Sequence, residues 1–212
     1  MVLSISSRFT TTKGEKMNKW GKMFWSKDLV PGRKIGGYTL LSELGSGKLG
    51  FCWKAQGQDG REVCLKVLWG STFGDTRLYA LREYRALQQF APLNVAPRPL
   101  EAYLTPWVCC IVMQFIEGRE LASVRHWKKD EYVAALEAVE PFFSMSLPLW
   151  HEDMHLGNFM WDGKKVWLID LGQTREVSEV GRYALEDRDK RIHEWRQRLE
   201  WAKKKDWPPS WG

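Results

Sequence analysis

The chain has 212 residues, 44% of them apolar, and a formal charge of +6, which gives enough material for one domain or two small lobes and excludes disorder throughout. Its longest apolar run, Trp107 to Met113, is too short for a bilayer crossing. The charge is concentrated at the N-terminus, where residues 1–36 hold eight Lys or Arg against Glu15 and Asp28.

Residues 1–35 read as a basic extension. It offers a surface for nucleic acid or an acidic partner, or stays a solvated tail. Its Ser/Thr-rich opening faintly resembles an organelle transit peptide, while Met17 and Met23 are alternative translational starts. The four cysteines, Cys52, Cys64, Cys109 and Cys110, lack zinc-site spacing and read as free thiols in a reducing, cytoplasmic setting.

From Gly36 the composition changes. Residues Tyr38 to Ala55 predict strand, glycine turn, strand, with Gly45, Gly47 and Gly50 at GxGxxG spacing around Ser46 and Lys48. Glycines so placed let backbone amides approach phosphate oxygens. A dinucleotide fingerprint would pass at once into a helix, whereas a second strand is predicted here.

The next predicted strand, Glu62 to Leu68, carries Lys66 among apolar neighbours. Strict alternation permits an outward-facing lysine; a buried one needs an anionic partner. Asp75 to Phe90 predicts a helix, capped by Asp75 or Thr76, with Ala80, Glu83 and Leu87 on one face. Glu83 is the candidate partner.

After the turn at Pro92 to Pro99, strands are predicted at Glu101–Leu104 and Val108–Phe115, the latter entering a connector that ends at Gly118. Asp130 to Val139 predicts a helix capped by Asp130, with Val133, Leu136 and Val139 inward and Pro141 beyond.

The stretch from Leu149 to Gln173 concentrates the chemistry. It reads His151-x-Asp153-x-His155-x-x-Asn158, then Asp170-Leu171-Gly172. Phe159–Trp161 and Val166–Asp170 predict a hairpin about Asp162-Gly163, which holds Asn158 before one strand and Asp170 after the other. Transfer of a terminal phosphoryl group asks a protein for a base and for charge neutralisation. Asp153 supplies a base, and Asn158 and Asp170 supply hard oxygen ligands for magnesium. The competing reading is a chance loop followed by an ordinary buried strand.

Tyr183 to Lys205 predicts a long helix striped with Leu185, Ile192, Trp195, Leu199 and Ala202. The tryptophans crowded near the C-terminus, Trp195, Trp201, Trp207 and Trp211, either anchor this helix or stack on bases beside Lys203–Lys205.

Taken together, Gly45/Gly47/Gly50, Lys66, Glu83, the Gln114–Gly118 connector, Asp153, Asn158 and Asp170 resemble the protein kinase signature in order and spacing over residues 36–173. The resemblance implies an α+β bilobal fold: a β-rich N-lobe with one helix (36–116) and a truncated, mainly helical C-lobe (117–212). It implies ATP and Mg2+ as ligands, and transfer to a Ser or Thr hydroxyl in the chain itself or in a protein partner.

By that resemblance, Gly45, Ser46, Gly47, Lys48 and Gly50 form a lid over phosphates, Cys52 and Cys64 flank adenine, and Met113 is the gatekeeper. Gln114, Phe115 and Ile116 form the hinge, and Glu120 contacts ribose. Lys66 and Glu83 form the phosphate-positioning ion pair, and His151 and Asp153 head the catalytic loop. The short chain after Asp170 is similar to RIO kinases and to the small kinase of the KEOPS complex. HxDxHxxN is similar to aminoglycoside and choline phosphotransferases, which keeps a small-molecule kinase open as a reading, alongside a weakly catalytic ATP-binding scaffold.

Overall fold

The computed structural model describes residues 29–47, 50–69, 76–104, 108–124, 127–144 and 149–204. The basic extension up to Asp28, Lys48 in the glycine turn, Asp75 as a helix cap, and Lys205, Trp207 and Trp211 lie outside the described residues.

Six antiparallel strands make the N-terminal sheet: β1 (Lys34–Ile35), β2 (Tyr38–Gly47), β3 (Gly50–Gln56), β4 (Glu62–Trp69), β5 (Pro99–Leu104) and β6 (Val108–Gln114). Their order is β1-β2-β3-β4-β6-β5, so β4 lies between β3 and β6. Alternation along β4 divides its side chains between two environments. Val63, Leu65 and Val67 join Leu40, Trp53 and Val112 in one cluster. Cys64, Lys66 and Leu68 face the other way, toward helix α1 (Thr76–Phe90). β6 is buried at every residue except Gln114 because both faces of the sheet are covered there, which accounts for its unbroken apolar run.

The C-terminal part contains α2 (Lys129–Glu137), α3 (Glu140–Ser144), three short strand pairings and the long helix α4 (Val177–Lys203). Strands β7 (Arg119–Glu120), β9 (Phe159–Trp161) and β10 (Val166–Leu168) form one small sheet. β8 (Leu149–His151) pairs with β11 (Thr174–Glu176), with His151 opposite Thr174. The β9–β10 hairpin forms at the expected turn. Gly163 takes φ +94°, and the Asp162 carboxylate accepts from the Lys164 and Lys165 amides and from the Trp167 indole.

Three expectations need adjustment. Asp130 lies inside the first turn of α2, which is entered from Lys128 without a side-chain cap, and Tyr132, Ala135 and Leu136 are its buried residues. Val133 is partly buried and packs against the core cluster. Helix α4 begins at Val177 instead of Tyr183 and ends at Lys203. The apolar stripe could not mark that start, because no Ser, Asp or Asn cap announces it and Glu176 makes no capping bond.

One continuous apolar cluster joins both parts: Leu68 and Ile111 from the sheet, Leu87 and Phe90 from α1, Phe159 and Leu168 from the hairpin, and Trp195 and Leu199 from α4. The loop that starts the C-terminal part is tied down by Tyr132, which is fully buried. Its hydroxyl donates to the Leu121 carbonyl at 2.9 Å and accepts from Arg198 Nε at 3.0 Å.

Tyr132→Phe should therefore cost about 1–3 kcal/mol, the range for leaving a buried polar partner unmet. Urea unfolding measures it, and an unchanged midpoint would show that neither bond contributes.

Candidate active site

Lys66 is placed by register. Strand pairing sets it opposite Cys52 on one side and Ile111 on the other, with its side chain directed under the sheet toward α1. Glu83 arrives from the buried face of α1 and is 1% exposed. Lys66 Nζ lies 2.8 Å from Glu83 Oε1 and 2.6 Å from Asp170 Oδ1, so residues 104 positions apart in sequence meet on one ammonium.

Burial alone would lower the Lys66 pKa, but Glu83 and Asp170 outweigh it and hold the ammonium well above the ordinary lysine range. Asp170 is the mirror case. Burial raises its pKa, and the Lys66 charge and hydrogen bond pull it below the usual carboxylate value. Glu83 shifts upward, because burial and the neighbouring Asp170 charge exceed the help from Lys66. Its second oxygen is buried without a hydrogen-bond partner. The trio is thus held as an ion cluster in which Glu83 carries the desolvation cost.

What brings Asp170 to Lys66 is a close approach of α1 to the loop after β10. A Cβ on Gly172 would sit 2.1 Å from the Tyr79 ring, so only glycine admits that ring. Tyr79 is one helical turn before Glu83 on α1, and seating it on Gly172 sets the helix at the height where Glu83 meets Lys66. Asp170 itself takes a left-handed conformation at φ 55°, ψ 62°, which Asp tolerates better than most residues.

The catalytic-loop candidates are fixed by backbone bonds. His151 is fully buried; its Nε2 bonds the Asp170 carbonyl at 2.9 Å and its Nδ1 accepts from the Asp153 amide at 3.1 Å. Accepting at Nδ1 puts the proton on Nε2, and burial, opposed by the Asp170 bond, lowers the ring's pKa so that it stays neutral. The amide nitrogen of Asn158 donates to the Asp153 carbonyl at 2.7 Å, a bond that does not use its side-chain oxygen. Ile169 N–H donates to the Asn158 carbonyl at 2.8 Å, tying the loop to the strand that delivers Asp170.

Two neighbours of Asp153 complete the picture. Gln173 Nε2 donates to Asp153 Oδ2 at 3.1 Å, and His155 Nε2 lies 3.5 Å from the same oxygen. The His155 ring accepts from the Gly157 amide through Nδ1, which directs its Nε2–H at Asp153. Gln173 escapes sequence reasoning. It stands just past the Asp-Leu-Gly triplet, and only the β8–β11 pairing folds it back over Asp153.

The other expected residues lie around this cluster. β2 pairs with β3 up to Gly47 opposite Gly50, so the glycine stretch is the tip of a hairpin, with Gly45, Ser46 and Gly47 exposed. Gly50 has a packing reason as well, since a Cβ there would lie 2.0 Å from the Val67 carbonyl oxygen. Cys64 stands opposite Met113 across β4 and β6, Gln114 N–H is committed to the Arg98 carbonyl, and Phe115 lies under the Lys54 ammonium at 4.7 Å. Ile116 is buried, while Glu120 is exposed on β7 opposite Met160.

As a ligand set for magnesium, the half-exposed Asp170 carboxylate and the Asn158 amide oxygen are both hard oxygens, as that ion prefers. Comparison with protein-family models matches the RIO domain over residues 70–198, more than half of the chain and inclusive of Glu83, Asp153, Asn158 and Asp170.

Buried neutral His151 has a pH signature. The unfolded chain takes up a proton below about pH 6.5 that the folded ring resists, so stability present above that pH is lost as pH falls through it. Unfolding free energy measured from pH 7.5 to 5.5 should fall more steeply for the wild type than for His151→Gln. Parallel slopes would contradict the neutral assignment.

Proposed function

This chain belongs to the RIO-domain family, a family of atypical ATP-binding kinases, and from that premise we propose that it transfers the γ-phosphoryl group of ATP to a Ser or Thr hydroxyl of itself or of a protein partner. The observation that carries the reading is the Lys66 ammonium held between Glu83 Oε1 and Asp170 Oδ1, beside the loop that fixes Asp153. A lysine so flanked is a preset phosphate anchor, with a second carboxylate adjacent for the cation.

In this mechanism the acceptor hydroxyl oxygen forms a bond to the γ-phosphorus, the bond from that phosphorus to the β–γ bridging oxygen breaks, and ADP leaves. The hydroxyl proton passes to the Asp153 carboxylate, which Gln173 orients. Lys66 binds the nucleotide's phosphate oxygens, and Glu83 keeps it in place. Asn158 and Asp170 would hold Mg2+, which when bound neutralises charge on the phosphoryl oxygens. His151 acts from below as a positioning residue, since both of its ring nitrogens are occupied by backbone groups.

In this reading Gly45, Ser46, Gly47 and Gly50, with Lys48 of the same motif, cover the phosphates. Cys52, Cys64, Met113 and the Gln114–Ile116 connector surround adenine, and Glu120 stands near the ribose. The division into lobes at 36–116 and 117–212, with 1–35 as a basic extension able to meet nucleic acid, belongs to the same reading. So does a cytoplasmic location, which fits four cysteines that are all free thiols. No helix of the described residues is long and apolar enough to cross a membrane.

A second reading, phosphorylation of a small hydroxylic molecule, is favoured by one feature: His155 two residues after Asp153, in the HxDxHxxN arrangement. A panel of metabolites giving faster Asp153-dependent ADP release than proteins do would select it.

Phosphate incorporation into the chain and into generic protein substrates should drop by about 100-fold or more in Asp153→Ala, in keeping with the loss of a general base. Lys66→Ala should be comparably impaired, and equal incorporation in all three proteins would reject the assignment. Thiol labelling gives an independent check. The hydrogen bond from Cys64 lowers the Cys52 pKa against the effect of burial, so Cys52 should alkylate before Cys64, and Mg-ATP should slow it. A labelling rate indifferent to Mg-ATP would move the nucleotide elsewhere.

A further inference from the structure

Strand register brings two of the four cysteines together. Cys52 on β3 stands opposite Lys66 on β4, and Cys64 on β4 stands opposite Lys54 on β3, so the four residues share one face of the sheet. The two thiols are diagonal neighbours on that face, share a hydrogen bond and are both partly exposed. On its other side Cys52 pairs with Gly45, which has no side chain to cover it. Cys109 and Cys110 make the contrast. Both are buried, and alternation along β6 sends one into each of the two core clusters.

The paired thiols are not equivalent. Cys64 donates to the Cys52 sulfur and the Lys66 ammonium stands opposite, which together hold the Cys52 thiol below its ordinary range against burial and the charges of Glu83 and Asp170. The same hydrogen bond, burial and the Cys52 charge push the Cys64 thiol well up. A thiolate with a protonated thiol against it is the arrangement in which oxidation of the first sulfur is resolved by the second.

We propose that Cys52 and Cys64 are a reversible oxidation site that takes a hydroperoxide as co-substrate and closes to a disulfide between β3 and β4, beside Lys66. The Cys52 thiolate attacks the terminal oxygen of the hydroperoxide, the O–O bond breaks, and the leaving oxygen takes a proton from solvent to become an alcohol or water. The Cys64 sulfur then attacks the Cys52 sulfenic acid, the S–O bond breaks, and the departing hydroxide carries off the Cys64 proton as water. Two electrons pass from the two thiols to the peroxide. Diagonal neighbours on a sheet sit about 7–8 Å apart at Cα, beyond the span of a relaxed disulfide, so β3 and β4 must shear slightly to close the bond. A bond strained in this way is labile, and glutathione returns it to two thiols. The site needs its thiols and no nucleotide, so it stands apart from the phosphotransferase reading.

The test treats the reduced full chain with hydrogen peroxide, blocks the remaining thiols by alkylation under denaturing conditions, and reads the intact mass and a peptide map. The chain should lose two hydrogens, Cys52 and Cys64 should become resistant to alkylation together, and glutathione should restore both. Cys109 and Cys110 should still alkylate. Cys64→Ser keeps a donor beside Cys52 and should stop at the Cys52 sulfenic acid, trapped by dimedone. Cys52→Ser should slow loss of the Cys64 thiol by about tenfold or more, as expected for removing the thiolate that reacts first. The wild-type mass and map decide the question even where a variant fails to fold.

Oxygen gain without the loss of two hydrogens overturns the site. So does a disulfide that joins two chains or involves Cys109 or Cys110, or survival of both thiols at a peroxide dose that oxidises free glutathione. Phosphate transfer by the reduced chain is a separate measurement, so either reading can fall without the other.

Discussion

A buried ammonium is the constraint around which this fold is arranged. Lys66 is removed from water in the middle of a six-stranded sheet, and an isolated charge there would be prohibitive. Two carboxylates from distant parts of the chain make it tolerable, one from the helix that crosses the sheet and one from the loop after β10. Removing either partner leaves the remaining ions uncompensated, so the sheet, α1 and the Asp170 loop are bound to a single relative position. In the function proposed above the same cluster receives a nucleotide's phosphates, which would tie stability to function at one point.

The second layer of order is made of backbone bonds. His151 bridges the Asp170 carbonyl and the Asp153 amide, Asn158 holds the Asp153 carbonyl, and Ile169 holds the Asn158 carbonyl. Each candidate side chain is thus anchored by its own main chain instead of by its functional atoms, which stay available for ligands. A neutral, buried imidazole suits this work, since its donor and acceptor face two different loops and burial opposes the uptake of a second proton.

Glycine serves two separate ends here. Gly45 and Gly47 have open space around the position of a Cβ, consistent with an exposed hairpin tip. Gly50 and Gly172 are required by contact, one against the Val67 carbonyl and the other against the Tyr79 ring. Gly172 has no motif of its own beyond its place in Asp-Leu-Gly, but without it α1 could not seat Tyr79, and Glu83 would lose its height relative to Lys66.

The amino-acid order by itself determined which residue types meet and roughly where the elements run. Alternation around Lys66, helical spacing around Glu83 and the Asp162-Gly163 turn are local signals, and local signals survive being read one dimension at a time. Helix α4 shows the limit, for its first turn carries no capping residue and its true start lies six residues before the apolar stripe suggested. Only the tertiary structure decided that Lys66 has two anionic partners, that His151 is sealed off as a brace, and that Gln173 folds over Asp153. Those facts depend on strand register and on the packing of a helix against a loop almost a hundred residues away. Such distances are set by the whole core and are written in no short stretch of the chain.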